Sequence, residues 1–293
     1  MIKNEKIMVT GAMGFIGNNL FRRLESSNNV IGIDKLASNN PKIHQIDLVN
    51  YENVSTIIND FSPSIIFHLG TNSAGYYGDN FLEAYDEDSR SLMNILYNIK
   101  LNSDIRLIFM SSSYVYSGID SSHIVQESMN LSPSHNFGIS KYFFEKLIKR
   151  NCKEYVIYRL SNVLGFKNQI NKTAVTDWLA EAQKDNDIII WGKGKRKLQY
   201  IDMEDLLQII TYKSNFSKGI YNLGSENYHS MKFVSTKIAS MSNSKVIFLE
   251  DKPEGFSLPF MNISKLQKII NYKYIDLDIT LSNLYQEMNG NHG

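Results

Sequence analysis

The first 160 residues alternate between short apolar runs and stretches whose apolar positions recur every three or four residues. Residues 6–9 are β-prone, and after them Phe15, Ile16, Leu20 and Leu24 fall at helical spacing. Residues 30–34 read as a second strand and 42–48, past a polar loop ending at Pro41, as a third. The spacing predicts a helix over 51–61, and Pro63 opens the next connection. Residues 64–70 are an uninterrupted apolar stretch, the kind buried on both faces of a parallel sheet. A long helix is expected from about 80 to 100, with Leu92, Ile95, Leu96 and Ile99 on one face. The strand over 105–110 then delivers Ser111, Ser112 and Ser113 to its carboxyl end. Strands alternating with helices predict an α/β fold, a doubly wound parallel sheet with ligands at the carboxyl ends of its strands.

From about Ser161 the pattern changes. Strands shorten, loops lengthen, and helices expected at 174–184, 204–212, 231–241, 264–270 and 281–288 are scattered. The division expected is a dinucleotide-binding part over 1–160 and a smaller α/β lobe over 161–293, interleaved with the first part. The chain contains no internal repeat, low-complexity tract or linker.

The turn at residues 10–20 carries three glycines between a strand and a helix. Gly11 suits a backbone conformation closed to other residues, Gly14 lets a pyrophosphate approach the main chain, and Gly17 lets helix pack on strand. The first N–H groups of that helix then face the diphosphate. A strand-turn-helix without ligand is the bland alternative, but the context favours a dinucleotide. Asp34 ends the second strand at the spacing of a carboxylate that grips an adenosine ribose. It would repel a 2′-phosphate, favouring NAD over NADP, and Lys35 weakens that preference slightly. Asp47, beside Leu48, either approaches the adenine amino group or caps the following helix. Residues 70–72 lie where the middle of a dinucleotide would pass, next to Leu69.

Composition narrows the partners. At 293 residues the chain can bury one large core, or a core with a smaller lobe. A net charge of +1 gives no electrostatic case for nucleic acid or an anionic membrane. One cysteine, Cys152, rules out an internal disulfide and fits a reducing cytoplasm. No apolar run approaches the roughly 20 residues of a membrane span, and the first strand starts too early to leave room for a signal peptide. His68 and His123 lack the partners of a metal site, and no metal is expected.

Taken in order, these motifs resemble the extended short-chain dehydrogenase/reductases that act on nucleotide sugars, across nearly the whole chain. The resemblance rests on Thr10-Gly11-x-x-Gly14-x-x-Gly17, Asp34, Asp47-Leu48, the run Ser111 to Tyr116, and Glu127 ahead of Pro133. It continues through Phe137-Gly138-Ile139-Ser140-Lys141, Arg159-Leu160-Ser161-Asn162-Val163-Leu164-Gly165, Trp191-Gly192-x-Gly194 and Tyr221-Asn222-Leu223-Gly224. It implies a Rossmann-type sheet, NAD as cofactor and a nucleotide diphosphate sugar as substrate. In this family a Ser or Thr works with a Tyr-x-x-x-Lys motif. Ser112 would hold the sugar oxygen that becomes a carbonyl. Lys141 would bind the nicotinamide ribose and lower the pKa of a neighbouring phenol from about 10.

Position 137, however, is Phe, the same ring without the oxygen that moves the proton. Three readings stand: an engineered removal of the hydroxyl, a natural residue with Tyr114, Tyr116 or His135 relaying the proton, or a pseudoenzyme that binds cofactor without turnover. Ser113 and Tyr114 occupy the places where the family's 4,6-dehydratases carry Asp and Glu, so dehydration is disfavoured. A 4-epimerase is expected first, then a 4-ketoreductase or 4-dehydrogenase. Asp88 falls where the family usually has Asn, and reads equally as a solvated helix acid beside Glu87.

The substrate side follows the same resemblance. Asn162 corresponds to a residue near the diphosphate, and Arg196 and Lys197 offer cations for it, although the usual arginine aligns nearer Leu198. Tyr76 and Tyr77, read as lying in a loop, and Ser113 are expected to line the sugar pocket. A homodimer is expected through the helices around 92–96 and 142–148. These carry Met93, Tyr97, Phe143, Phe144 and Leu147 beyond what one sheet face covers.

Overall fold

The chain begins with β1 (Lys6–Thr10), α1 (Phe15–Glu25), β2 (Asn29–Asp34), β3 (Ile43–Gln45), α2 (Tyr51–Phe61) and β4 (Ile65–His68). It continues through α3 (Ala74–Asp79), α4 (Phe81–Leu101), β5 (Arg106–Ser112), a 3-10 turn (Ser113–Tyr116), β6 (Ile124–Val125), α5 (Asn136–Asn151) and β7 (Tyr155–Leu160). Then come β8 (Asn162–Leu164), α6 (Ala174–Ala182), β9 (Ile188–Trp191), β10 (Lys197–Asp202), α7 (Met203–Ile210) and β11 (Gly219–Leu223). The last elements are β12 (Tyr228–Ser230), α8 (Met231–Ala239), β13 (Val246–Leu249), β14 (Phe260–Met261), α9 (Ser264–Gln267) and α10 (Leu277–Gly290). This computed structural model describes residues 1–165, 173–212 and 218–290.

Seven strands form one parallel sheet in the order β3-β2-β1-β4-β5-β7-β11. Side-chain alternation builds a core on each face. Ile7 and Val9 of β1 pack with Leu20, Phe21 and Leu24 of α1 and with α7. Met8, between them, turns to the other face with Val54 and Ile58 of α2, Leu92 and Ile95 of α4, and Phe144 of α5. The strand order reverses between β2-β1 and β4, and a crevice opens there at the carboxyl ends. β11 comes from the second half of the chain and pairs with β7, so that half interleaves with the sheet. At Ser161 the chain steps from β7 into β8, which pairs with β10 in a separate three-stranded sheet. Asn162 therefore stands at the seam between sheet and lobe.

Three local expectations change. The third strand is only Ile43–Gln45, and Asp47 and Leu48 lie beyond it. A helix, α3, replaces the expected loop, because the Ser73 side chain accepts the Tyr76 N–H at its start. The final helix begins at Leu277, earlier than its apolar spacing suggested. No helix among the described residues is long and apolar enough to cross a membrane.

Candidate active site

Gly11 has a φ of +67°, and a Cβ there would lie 2.8 Å from Gly70 backbone atoms. A Cβ on Gly17 would lie 2.0 Å from the Gly11 carbonyl oxygen. The turn is therefore packed down to glycine on both sides. α1 starts at Gly14 with no side-chain cap and no acidic residue in its first turn. By contrast, Asn50, Ser73 and Thr173 cap α2, α3 and α6. The N–H groups at the α1 terminus are left for an anion.

At the end of β2, the Asp34 carboxylate accepts the Met13 N–H at 2.9 Å and the Leu36 N–H at 3.0 Å. It lines a cavity of about 220 Å³ together with Gly11, Gly14, Asp47, Leu48 and Leu69. Asp47 accepts the Val49 N–H and is not the cap of α2; Asn50 is. An uncapped helix end, a glycine cradle and a carboxylate one strand away fit a dinucleotide.

A second, larger cleft of about 790 Å³ continues from the glycine turn, past Phe15, Ile16 and Leu69, to Ser112, Phe137 and Lys141. It ends in the lobe against Asn162, Arg196, Leu198 and Tyr200. Ser112 is the last residue of β5, and its Oγ accepts the Tyr114 N–H at 3.2 Å. Lys141 is buried on α5, where its Nζ donates to Thr71 Oγ1 at 2.8 Å and to the Met110 carbonyl at 3.3 Å. Burial pulls its pKa down to about 8, against a rise from the nearby Asp88 carboxylate. The Phe137 ring, 9% exposed, borders the cleft and packs on Tyr77 and Tyr114, with centroids at 5.3 and 5.7 Å.

None of the three candidate proton relays is among the described residues that line the cleft. The Tyr116 hydroxyl donates to Asn222 Oδ1 at 2.7 Å and accepts from Arg159 at 2.8 Å, with the ring fully buried. His135 caps α5, its Nδ1 accepting the Phe137 N–H at 3.2 Å, and burial lowers its pKa. Its ring packs edge-on against Tyr114 at 4.8 Å.

Several expectations are corrected by packing. Ser113 opens the 3-10 turn, where its side chain is buried away from the cleft. Lys197 alternates out of phase with Leu198 and Tyr200 on β10, so it points to the other face, over Tyr228 at 5.8 Å. Arg196, in phase with them, borders the cleft, its Nε donating to the Phe256 carbonyl at 3.0 Å. Tyr76 borders the cleft from α3, whereas Tyr77 is buried and donates to Asp88 Oδ2 at 2.9 Å. Asp88 is only 3% exposed, not a solvated helix acid. Its burial depends on Asn72 and Tyr77, whose approach no local pattern encodes. Asn162 Nδ2 donates to the Gln199 carbonyl at 3.1 Å, leaving its Oδ1 free of that bond.

The model of the NAD dependent epimerase/dehydratase family matches residues 7–224. An uncharacterized UDP-glucose epimerase of Bacillus subtilis is 26% identical over 298 residues, covering 91% of this chain and 92% of its own. A rat protein named methionine adenosyltransferase 2 subunit beta is 25% identical over 191 residues, covering 63% of this chain and 55% of its own. Among solved structures, UDP-glucose 4-epimerase of Thermotoga maritima with UDP-glucose superposes with a TM-score of 0.89. It is 17% identical and covers 98% of this chain and 99% of its own.

Proposed function

The chain belongs to the NAD-dependent epimerase/dehydratase family, and we propose that it acts on a nucleotide diphosphate sugar as a 4-epimerase. One observation carries this reading. A single cleft is lined by the glycine turn, by Ser112 and Lys141, and by Asn162 and Arg196 of the lobe. Such a cleft joins the glycine turn to the lobe, the arrangement needed to bring a sugar nucleotide against a dinucleotide. NAD, when bound, supplies a reversible two-electron acceptor. The chain's own residues hold and orient the substrate. Arg196 offers a guanidinium fork to the diphosphate, and Asn162 a second polar anchor. Ser112 holds the reacting sugar oxygen. With Phe at 137, Lys141 is the group best matched to exchange the proton, because a pKa of about 8 lies close to a working pH.

Dehydration lacks support, since Ser113 is buried off the cleft and Tyr114 is no carboxylic acid. A 4-ketoreductase uses the same cleft, and Phe137 supports a third reading, a cofactor-binding protein without turnover. Because the Bacillus subtilis relative and the Thermotoga maritima protein are named for UDP-glucose, UDP sugars are the first to test. Proton NMR of the sugar and the absorbance of NADH separate the readings. A 4-epimer formed without NADH change supports epimerisation. Stoichiometric NADH consumption with a 4-keto sugar makes it a reductase, and binding without either product leaves the non-catalytic reading.

The reading includes a cytoplasmic homodimer joined through α4 and α5. Tyr97 and Phe143 on these helices are exposed, at 53% and 44%, as is Leu101 at the end of α4. Phe144 is fully buried in its own core and takes no part in that surface.

A further inference from the structure

Lys141 is a buried cation beside a ring that cannot become an anion. A buried charge needs a counter-charge or it neutralises. Asp88, on α4, has the chemistry to supply one. Among the described residues its carboxylate accepts hydrogen bonds from donors alone: the Asn72 N–H at 3.0 and 3.2 Å, Asn72 Nδ2 at 3.1 Å, and the Tyr77 hydroxyl at 2.9 Å. Burial raises the Asp88 pKa above its ordinary value, opposed by Lys141 and by the Asn72 and Tyr77 hydrogen bonds, and an all-donor shell leaves a protonated acid with nothing to donate to. The two charges are tied through consecutive residues. Thr71 accepts from Lys141, and Asn72, next in the chain, donates to Asp88.

We propose that Asp88 is the built-in counter-charge of Lys141, standing in for the anion that Phe137 cannot provide. The other groups around the pair do not fill this role. From β4, His68 is neutral, its pKa pushed down to about 3 by burial and by Lys141 itself. From α3, the Tyr77 phenol is pushed far above its ordinary value by burial and by Asp88. On α4, Glu87 accepts from Asn72 Nδ2 at 3.0 Å and pairs with Lys35 at 3.8 Å. Lys141 itself feels burial downwards and Asp88 upwards. Asp88 is thus a positioning residue: it offsets part of the burial that lowers the Lys141 pKa and holds Asn72 and Tyr77 in place. A tyrosine placed at 137 would meet a lysine whose charge is already balanced.

The test uses the apo protein and no substrate, so its outcome is independent of the proposed reaction. NMR titration of protein labelled in its lysine side chains reads the Lys141 pKa, with Lys141→Met identifying the resonance. The proposal expects Asp88→Asn to lower that pKa by about one unit or more, and equal values in the two proteins overturn it. If Asp88→Asn does not fold, Phe137→Tyr with Asp88 retained gives a second reading by near-ultraviolet difference titration. The new phenol is expected to ionise no more than about one unit below its ordinary value of about 10. A deeper depression means an uncompensated lysine and overturns the proposal.

Discussion

Lys141 stands one helical turn after Phe137 on α5, its ammonium 5.2 Å from the centroid of that ring. Lys141, Ser112 and Phe137 all border the cleft, and the Phe137 ring presents only carbon. On the proposed reading the site keeps two partners of a phenol and lacks the phenol. Proton transfer at this position is its most exposed weakness.

Arg196 and Lys197 are adjacent in sequence but opposite in orientation, so their substitutions should separate. Arg196→Ala is expected to weaken nucleotide-sugar binding about 10- to 100-fold, the scale of a lost charged hydrogen bond. Lys197→Ala should leave it nearly unchanged. Calorimetry with UDP-glucose checks both, and equal losses would contradict the placement of Arg196.

Cofactor choice is expected to follow from Asp34, which lines the cavity beside the glycine turn. NAD(H) is expected to bind more tightly than NADP(H), because a 2′-phosphate would meet like charge. Calorimetry with both cofactors reads the order directly, and Asp34→Gly should narrow the gap. A lower dissociation constant for NADP(H) would shift attention to Lys35.

His68 gives the fold an acid-sensitive element. Its Nδ1 lies 2.9 Å from Thr10 Oγ1, which already accepts the Leu69 and Gly70 N–H groups. The threonine therefore donates to a neutral imidazole. With a folded pKa near 3 against an ordinary 6.5, the unfolded chain binds the extra proton between those values. This group's contribution is full above pH 6.5 and is lost as pH falls towards 3. Urea midpoints measured down this range should fall more steeply in the parent than in His68→Leu. Parallel slopes would contradict the assignment.

The parts of the site that the sequence made legible are those set by short-range chemistry. Gly11, Gly14, Gly17 and Asp34 are read within one strand-turn-helix and the strand beside it, where backbone sterics and spacing suffice. The parts it hid depend on distant contacts or on phase. Nothing before the structure fixes which of Arg196 and Lys197 faces inward, because the phase of β10 is set by its pairing with β8. Ser113 looks equivalent to Ser112 until the strand ends between them in a 3-10 turn. Asp88 looks like a solvated acid until Asn72 and Tyr77 close over it from another segment. Phe144 looked like interface and belongs to the core, because α5 packs against β5 and α4.

The dimer surface is tested by charge. Tyr97→Glu combined with Phe143→Glu should yield a monomer by light scattering at micromolar concentration, while the parent scatters as a dimer. A monomeric parent would remove α4 and α5 from the assembly.

The most direct test restores the missing hydroxyl. Phe137→Tyr places a phenol in the cleft that Ser112 and Lys141 also border, without changing the ring that packs on Tyr77 and Tyr114. Turnover of UDP-glucose and related UDP sugars, followed by NMR, is expected to rise ~10²–10⁴-fold, the scale of one acid–base group. Substrate affinity should change little. A Phe137→Tyr protein that binds NAD and a sugar nucleotide yet gains no turnover with any candidate sugar would contradict the account.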